Sequence, residues 1–318
     1  MLIGIGDDAA IVRPVPQSNL IACSDLIVEG VHFRRDWSDP FAIGHKALAS
    51  TVSDVAAMGG VPLFALVSLA LPRETPSGFV GRLIEGLFSA ADSYGIAIIG
   101  GDTSSSPGPL FIDTTVLGEC GEGQAIPRSG AATGDLIFVT GSLGASELGL
   151  RLLEQRRTPE QPSVAESEDH LAAARAEAIR RHILPEPRVK AGAAIGKARL
   201  ATAMIDVSDG LSTDLNHLTE ASGRGALIHA HAIPVADCVR LLAPELGDVD
   251  PLTLALNSGE EYELLFTSPV ENKEAIAGLS SEMGLPITVI GEITRDRDVV
   301  IDNGTRTKLA PGGWEHLI

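Results

Sequence analysis

Short apolar runs rich in Ile, Val and Leu alternate along this chain with longer amphipathic stretches, which restricts it to a fold that alternates strands and helices. The first series is Leu20–Cys23, Ala42–Met58, Leu63–Leu71, Val80–Tyr94 and Ile96–Ile99. A second begins near Asp135 with Leu136–Thr140, continues through a helix from about Ala145, and resumes with strands near Ala203–Asp206 and Ala226–His229. Two α/β domains are expected, which suits a chain of 318 residues. The Gly-rich segment Arg128–Asp135 marks the boundary, giving domains of residues 1–128 and 129–318. Gln155–Asp169, polar and carrying two prolines, reads as a surface loop before the Ala-rich helix Leu171–His182.

Charge narrows the function. With 42 acidic against 24 basic residues the chain carries a formal charge of −18, which opposes general affinity for nucleic acid or anionic membrane. An anionic substrate would then need help, and divalent cations held by the surplus carboxylates are compatible with this composition. Cys23, Cys120 and Cys238 offer no CxxC pair, which fits a reducing cytoplasm. The longest apolar stretch, Val61 to Leu71, is too short to span a bilayer, so a soluble cytoplasmic protein is expected.

Four apolar runs end in acid: LIGIGDD at Asp7 and Asp8, LIACSD at Asp25, IAIIGGD at Asp102, and ATAMIDVSDG at Asp206 and Asp209. In open α/β sheets ligands gather beyond the carboxyl ends of strands, so these aspartates are placed to converge, with Asp54 joining from a helix. Converging carboxylates repel unless cations neutralise them, and hard oxygen donors select magnesium. Taken singly, an Asp beside Gly or Ser is as readily a turn former or helix cap, and it is the recurrence that favours a shared site. Asp214 reads as helical surface or capping, and Asp7 as a support for Asp8.

Other site types are poorly supported. GxSxG, HExxH and a complete phosphate-binding GxxxxGK[ST] are absent; GAAIGKA at Gly192–Ala198 reads as an ordinary helix with Lys197 exposed. TGSLGASELG at Thr140–Gly149 follows a strand and opens a helix, so its glycines suit phosphate binding and close packing equally. His229 and His231 alternate on an expected strand with no third nitrogen or sulfur ligand nearby. Lys46, on the helix upstream of Asp54, is either a phosphate contact or a solvated lysine.

In order and spacing, GIGDDAA, SDLIVEGVHF, KALASTVSDVAAMGG, IIGGDTS, RSGAATGD, IDVSDGLSTDL and SGEEYELLF resemble the thiamine-monophosphate kinase family over nearly the whole chain. The resemblance implies the two-domain α/β (α+β) fold shared with aminoimidazole ribonucleotide synthetase, with N-terminal strands forming a homodimer interface and a C-terminal domain completing the active site. It implies ATP-dependent phosphorylation of thiamine monophosphate to thiamine diphosphate by direct in-line transfer, with several magnesium ions and ATP as co-substrate.

Carried over residue by residue, Asp8, Cys23, Ser24, Asp25, Asp54, Asp102, Asp206 and Asp209 look like magnesium ligands. Gly101, Asp102, Arg128 and Ser208 look nucleotide-binding, and His32, Glu260 and Trp314 match thiamine-phosphate contacts. Asp102, Asp209 and Asp54 are the expected catalytic carboxylates. Departures from the family pattern are the missing short segment that family members carry before GDD, Glu261 where Asp is usual, Thr51 where Asn is frequent, and Cys23 where a hydroxyl residue is common. Selenophosphate synthetase and the hydrogenase-maturation dehydratase share the superfamily. The first wants a reactive N-terminal Cys and the second a C-terminal Cys, whereas this chain ends His-Leu-Ile. A non-catalytic magnesium–nucleotide-binding protein is the alternative outside the enzymes.

Overall fold

The computed structural model describes residues 1, 12–13, 16–155, 169–247 and 249–314. Asp7 and Asp8, and most of the polar segment expected to be a surface loop, lie outside the described residues. The chain divides into two compact units, Met1–Ala125 with Ile183–Lys197, and Ile126–His182 with Ala198–Ile318.

The first unit contains β1 (Ser18–Val28), α1 (Pro40–Ala57), β2 (Val61–Pro72), α2 (Ser77–Tyr94), β3 (Ala97–Ser106) and β4 (Phe111–Gly121). The strands form a sheet in the order β1-β4-β2-β3, in which β2 and β3 are parallel and the other pairs antiparallel. Helix α1 starts cleanly because Pro40 occupies its first turn and the Asp39 side chain accepts from the Phe41 amide at 2.8 Å. Its small residues, Ala42, Ala47, Ala49, Ala56 and Ala57, are buried, with Ile43, Leu48, Val52 and Val55 among them. The inner residues of β4, Ile112 and Val116, join the same core as α1 and Leu83 and Leu87 of α2.

The second unit contains β5 (Leu136–Thr140), α3 (Ala145–Gln155), α4 (Asp169–Ile183), β6 (Ala203–Asp206), α6 (Leu211–Ser222) and β7 (Gly225–His229). It continues through α7 (Asp237–Leu242), α8 (Pro251–Asn257), β8 (Leu264–Ser268), α9 (Lys273–Met283), β9 (Ile287–Thr294), β10 (Val299–Asp302) and β11 (Arg306–Lys308). Its sheet runs β11-β10-β7-β9-β5-β8-β6, and only the β10–β7 pair is parallel. Phe138 and Phe266 are paired in register on β5 and β8, and their rings stack 5.1 Å apart.

Two differences from the sequence reading have physical causes. Both sheets are mostly antiparallel, so the rule that ligands lie beyond parallel strand ends does not by itself locate the aspartates. Asp206 does end β6, but Asp25 and Asp102 lie within β1 and β3, because polar residues are tolerated along strands with an exposed face. The second difference is helix α5 (Val189–Ala198), assigned from sequence with everything beyond Arg128 to the second domain. Residues 183–197 instead belong to the first unit, where a Cβ on Gly192 would lie 2.1 Å from the Ala56 carbonyl oxygen, so α5 rests directly on the end of α1.

Candidate active site

In the first unit, strand register sets the polar residues in rows across the sheet. Asp102 pairs with Ser68, Ser68 with Asp113 and Asp113 with Leu26; the adjacent row is Gly101, Val67, Thr114 and Asp25. The Ser24 hydroxyl donates to Asp113 Oδ1 at 3.1 Å and lies 2.9 Å from the Thr115 hydroxyl. Asp25 hydrogen-bonds Thr51 of α1, and its pKa is raised by burial, an effect opposed by that bond and increased by the charge of Asp113. Thr51 also hydrogen-bonds the Thr114 hydroxyl, so the residue standing where Asn is frequent ties α1 to β4. The Cys23 thiol donates to the Thr51 carbonyl at 3.3 Å and the Val116 carbonyl at 3.8 Å, which turns its sulfur toward α1.

Asp102 is exposed and accepts from the Thr103 amide at 2.8 Å, while Asp54 sits half-buried in the last turn of α1. Gly101 has φ +154°, and a Cβ there would lie 1.8 Å from the Val67 carbonyl oxygen; close approach of β2 and β3 alone demands glycine. His32 follows β1, where its Nδ1 accepts from the Val28 amide at 3.1 Å and its carbonyl accepts from Lys46 Nζ at 3.0 Å. Lys46 is buried, so neither of its sequence readings anticipated a lysine that fastens the His32 turn.

In the second unit, separate motifs are joined through the main chain. The loop after β6 accepts the Glu260 amide on the Ser208 carbonyl at 2.7 Å, the Tyr262 amide on Val207 at 2.9 Å and the Trp314 amide on Asp209 at 3.0 Å. The structure thus gathers Asp206, Ser208, Asp209, Glu260 and Trp314, with the Trp314 indole exposed. Arg128 is exposed; the neighbouring Pro127 carbonyl accepts from the Met204 amide of β6 at 3.1 Å, and the Arg128 carbonyl accepts from the Ser222 hydroxyl at 3.4 Å. Glu260 and Tyr262 have φ of +56° and +53°, left-handed values that cost side-chain-bearing residues on the order of 1–2 kcal/mol each.

Asp214 is a buried cap rather than helical surface. Its Oδ2 accepts from the amides of Asp209 and Gly210 at 3.1 and 3.0 Å. Burial, then the charges of Asp206 and Asp209, push its pKa up to about 8. Glu261 is also buried: it accepts from the Gly144 and Ser146 amides at 2.8 and 3.0 Å and from the Ser258 hydroxyl at 2.6 Å, closing the start of α3. The TGSLGASELG glycines therefore serve a turn already satisfied by a carboxylate. His229 ends β7 and His231 follows in a short turn, with their rings 5.7 Å apart. Lys197 is exposed at the end of α5, as expected. Among the described residues, no three His, Cys, Asp or Glu side chains are grouped closely enough to hold a metal ion.

Sequence reasoning missed Asp113, whose signal was a single acid in the otherwise alternating FIDTTVLG, and Arg181 and His182, which had none.

Two descriptions of protein domains cover most of the chain: AIR synthase related protein, N-terminal domain, matches residues 6–120, and AIR synthase related protein, C-terminal domain, matches residues 132–303. They define the class, a two-domain AIR-synthase-like α/β protein. Within that class the chain belongs to the thiamine-monophosphate kinase family. It is 38% identical to the thiamine-monophosphate kinase of Bacillus subtilis, covering 99% of this chain and 93% of that protein. The crystal structure of thiamine-monophosphate kinase from Stenotrophomonas maltophilia superposes with a TM-score of 0.83 at 36% identity, over 95% of this chain and 90% of that one. AaThiL complexed with AMPPCP and TMP superposes with a TM-score of 0.82 at 34% identity, over 99% and 92%.

Proposed function

We infer that this chain phosphorylates thiamine monophosphate with ATP to give thiamine diphosphate. The observation that carries the reading is the joining of Asp206–Asp209, Glu260 and Trp314 by main-chain bonds, in a chain 38% identical to a thiamine-monophosphate kinase. That AaThiL is complexed with both AMPPCP, an ATP analogue, and TMP supports transfer within a ternary complex.

The acceptor's terminal phosphate oxygen attacks the γ-phosphorus in line, the bond to the bridging oxygen breaks, and ADP leaves. No enzyme nucleophile is required, so catalysis is positioning and charge neutralisation. Gly101, Asp102, Arg128 and Ser208 hold the nucleotide, and His32, Glu260 and Trp314 hold the acceptor. Asp54, Asp102 and Asp209 are the carboxylates nearest the chemistry in this reading.

Asp8, Cys23, Ser24, Asp25, Asp54, Asp102, Asp206 and Asp209 would hold magnesium. The donors fit a hard cation: they are oxygens apart from the Cys23 thiol, which already donates to two carbonyls, leaving its main-chain oxygen as the suitable atom. Burial first, and then neighbouring carboxylate charge, raises the pKa values of Asp25 and Asp214, and a divalent cation would relieve the charge part of that cost. Bound magnesium would neutralise and orient the polyphosphate.

The chain acts as a homodimer in this reading. Among the described residues strand β1 is the edge of its sheet, eleven residues long, and Leu20, Leu26, Val61 and Leu66 are exposed on the same sheet, a surface suited to a second copy. No helix among the described residues is long and apolar enough to cross a membrane, and three free cysteines suit a reducing cytoplasm.

A coupled assay of ADP and thiamine diphosphate formation, with and without magnesium, tests the activity. Wild-type protein should form both products only with magnesium, and Asp102→Asn should lose at least about a hundredfold in kcat/KM. Folded protein that binds ATP yet forms no thiamine diphosphate would overturn the reading.

A further inference from the structure

Two neighbouring residues at the end of α4 face the SGEEYELLF loop. Arg181 Nη2 donates to the Ser142 carbonyl at 2.7 Å and to Glu261 Oε2 at 3.2 Å, and lies 3.5 Å from Glu263 Oε1. His182, the next residue, is buried, and its Nδ1 lies 3.1 Å from the Ser146 hydroxyl and 3.5 Å from Glu260 Oε2. The imidazole reaches this place because α3 and α4 touch at Gly149, where a Cβ would lie 2.2 Å from the Ala178 carbonyl oxygen and 3.0 Å from His182 Cβ.

Glu260 differs from its neighbours. Glu261 and Glu263 have fully buried side chains, whereas that of Glu260 is one-quarter exposed. Its left-handed backbone is held by the bond from its amide to Ser208, so the main chain fixes where the side chain begins and His182 faces where it ends. A carboxylate with one oxygen against a buried imidazole and part of its surface open is restricted in orientation before any ligand arrives.

We propose that His182, braced by Ser146, is a positioning residue that orients the Glu260 carboxylate toward the thiamine moiety of the acceptor. Thiamine presents a cationic thiazolium and an aminopyrimidine donor, and a fixed carboxylate suits both. The proposal rests on the functional reading above. It separates the acceptor, sensitive to His182, from ATP, which is not.

Steady-state kinetics on the full chain test it. His182→Leu should raise KM for thiamine monophosphate about tenfold, leaving KM for ATP within about twofold, and His182→Asn, which returns a donor near the Nδ1 position, should recover most of the loss. In the Glu260→Gln background His182→Leu should add little, because the two side chains act as one unit. An unchanged KM for thiamine monophosphate in folded His182→Leu, or equal rises in both KM values, would overturn the proposal. Should His182→Leu fail to fold, Ser146→Ala decides by the same KM comparison, with no change counting against the idea. Inactive wild-type protein would fail the functional reading instead, which distinguishes the two outcomes.

Discussion

The amide of Trp314 donates to the carbonyl oxygen of Asp209 at 3.0 Å, so a residue near the C-terminus is fastened to the acidic loop after β6. Gly313 makes that contact feasible, since a Cβ there would lie 1.8 Å from the same oxygen. Gly313→Ala should therefore push Trp314 away and raise KM for thiamine monophosphate several-fold, about 3–10 fold, with little change in melting temperature because the segment is exposed. Parallel kinetics and thermal melts check this; a normal KM would mean that Trp314 does not depend on its tether.

Arg181 supplies positive charge to two carboxylates whose side chains are wholly buried, Glu261 and Glu263. Removing it as Arg181→Leu leaves both without that partner, and the expected loss is about 3–5 kcal/mol in urea unfolding. A loss below about 1 kcal/mol would show that the hydroxyls and amides around the two acids suffice without the cation.

Asp214 predicts a pH dependence of stability. Its folded pKa is raised to about 8 from an ordinary 3.8, so the folded chain binds its proton more tightly than the unfolded chain. The contribution is fully present below about pH 4 and is lost as pH rises through 8. In chelator, melting temperature should fall between pH 5 and 9, and Asp214→Asn, which keeps an acceptor for the Asp209 and Gly210 amides, should flatten that slope. An identical slope in the variant would remove Asp214 as its source.

Leu20 and Leu26 are exposed on β1, the edge strand of its sheet among the described residues. Leu20→Glu with Leu26→Glu should convert a dimer to monomers in sedimentation equilibrium without lowering the helix content seen by circular dichroism. A wild-type protein that is monomeric at micromolar concentration would dispose of the dimer.

Hydrophobic period located most elements as far as β7, though not β4, and none beyond it. Leu63–Leu71 is the heart of β2, Ala42–Met58 nearly coincides with α1, and Leu171–His182 falls inside α4. What pattern could not supply was pairing: alternation along one strand does not name its neighbour, so the antiparallel sheets and the row Asp102, Ser68, Asp113 had to come from the fold. Isolated acids by Gly or Ser marked Asp206 and Asp209, but nothing in SGEEYELLF separates Glu261 and Glu263 from solvent-facing charge, and only burial against Arg181 distinguishes them. His182 and Glu260 are separated by a long stretch of chain, and neither residue type signals the other.

The detour of residues 183–197 sets the order in which this protein can finish folding. A ribosome releases the β1 to β4 segment early, yet the end of α1 lacks its cover until α5 emerges, since Gly192 and Gly196 pack on Ala56 and Gly59. Neither unit is one uninterrupted stretch of the gene, so neither can be exchanged between relatives as a single cassette. A transplant of residues 1–125 alone would carry the strands and leave behind the helix that seals them.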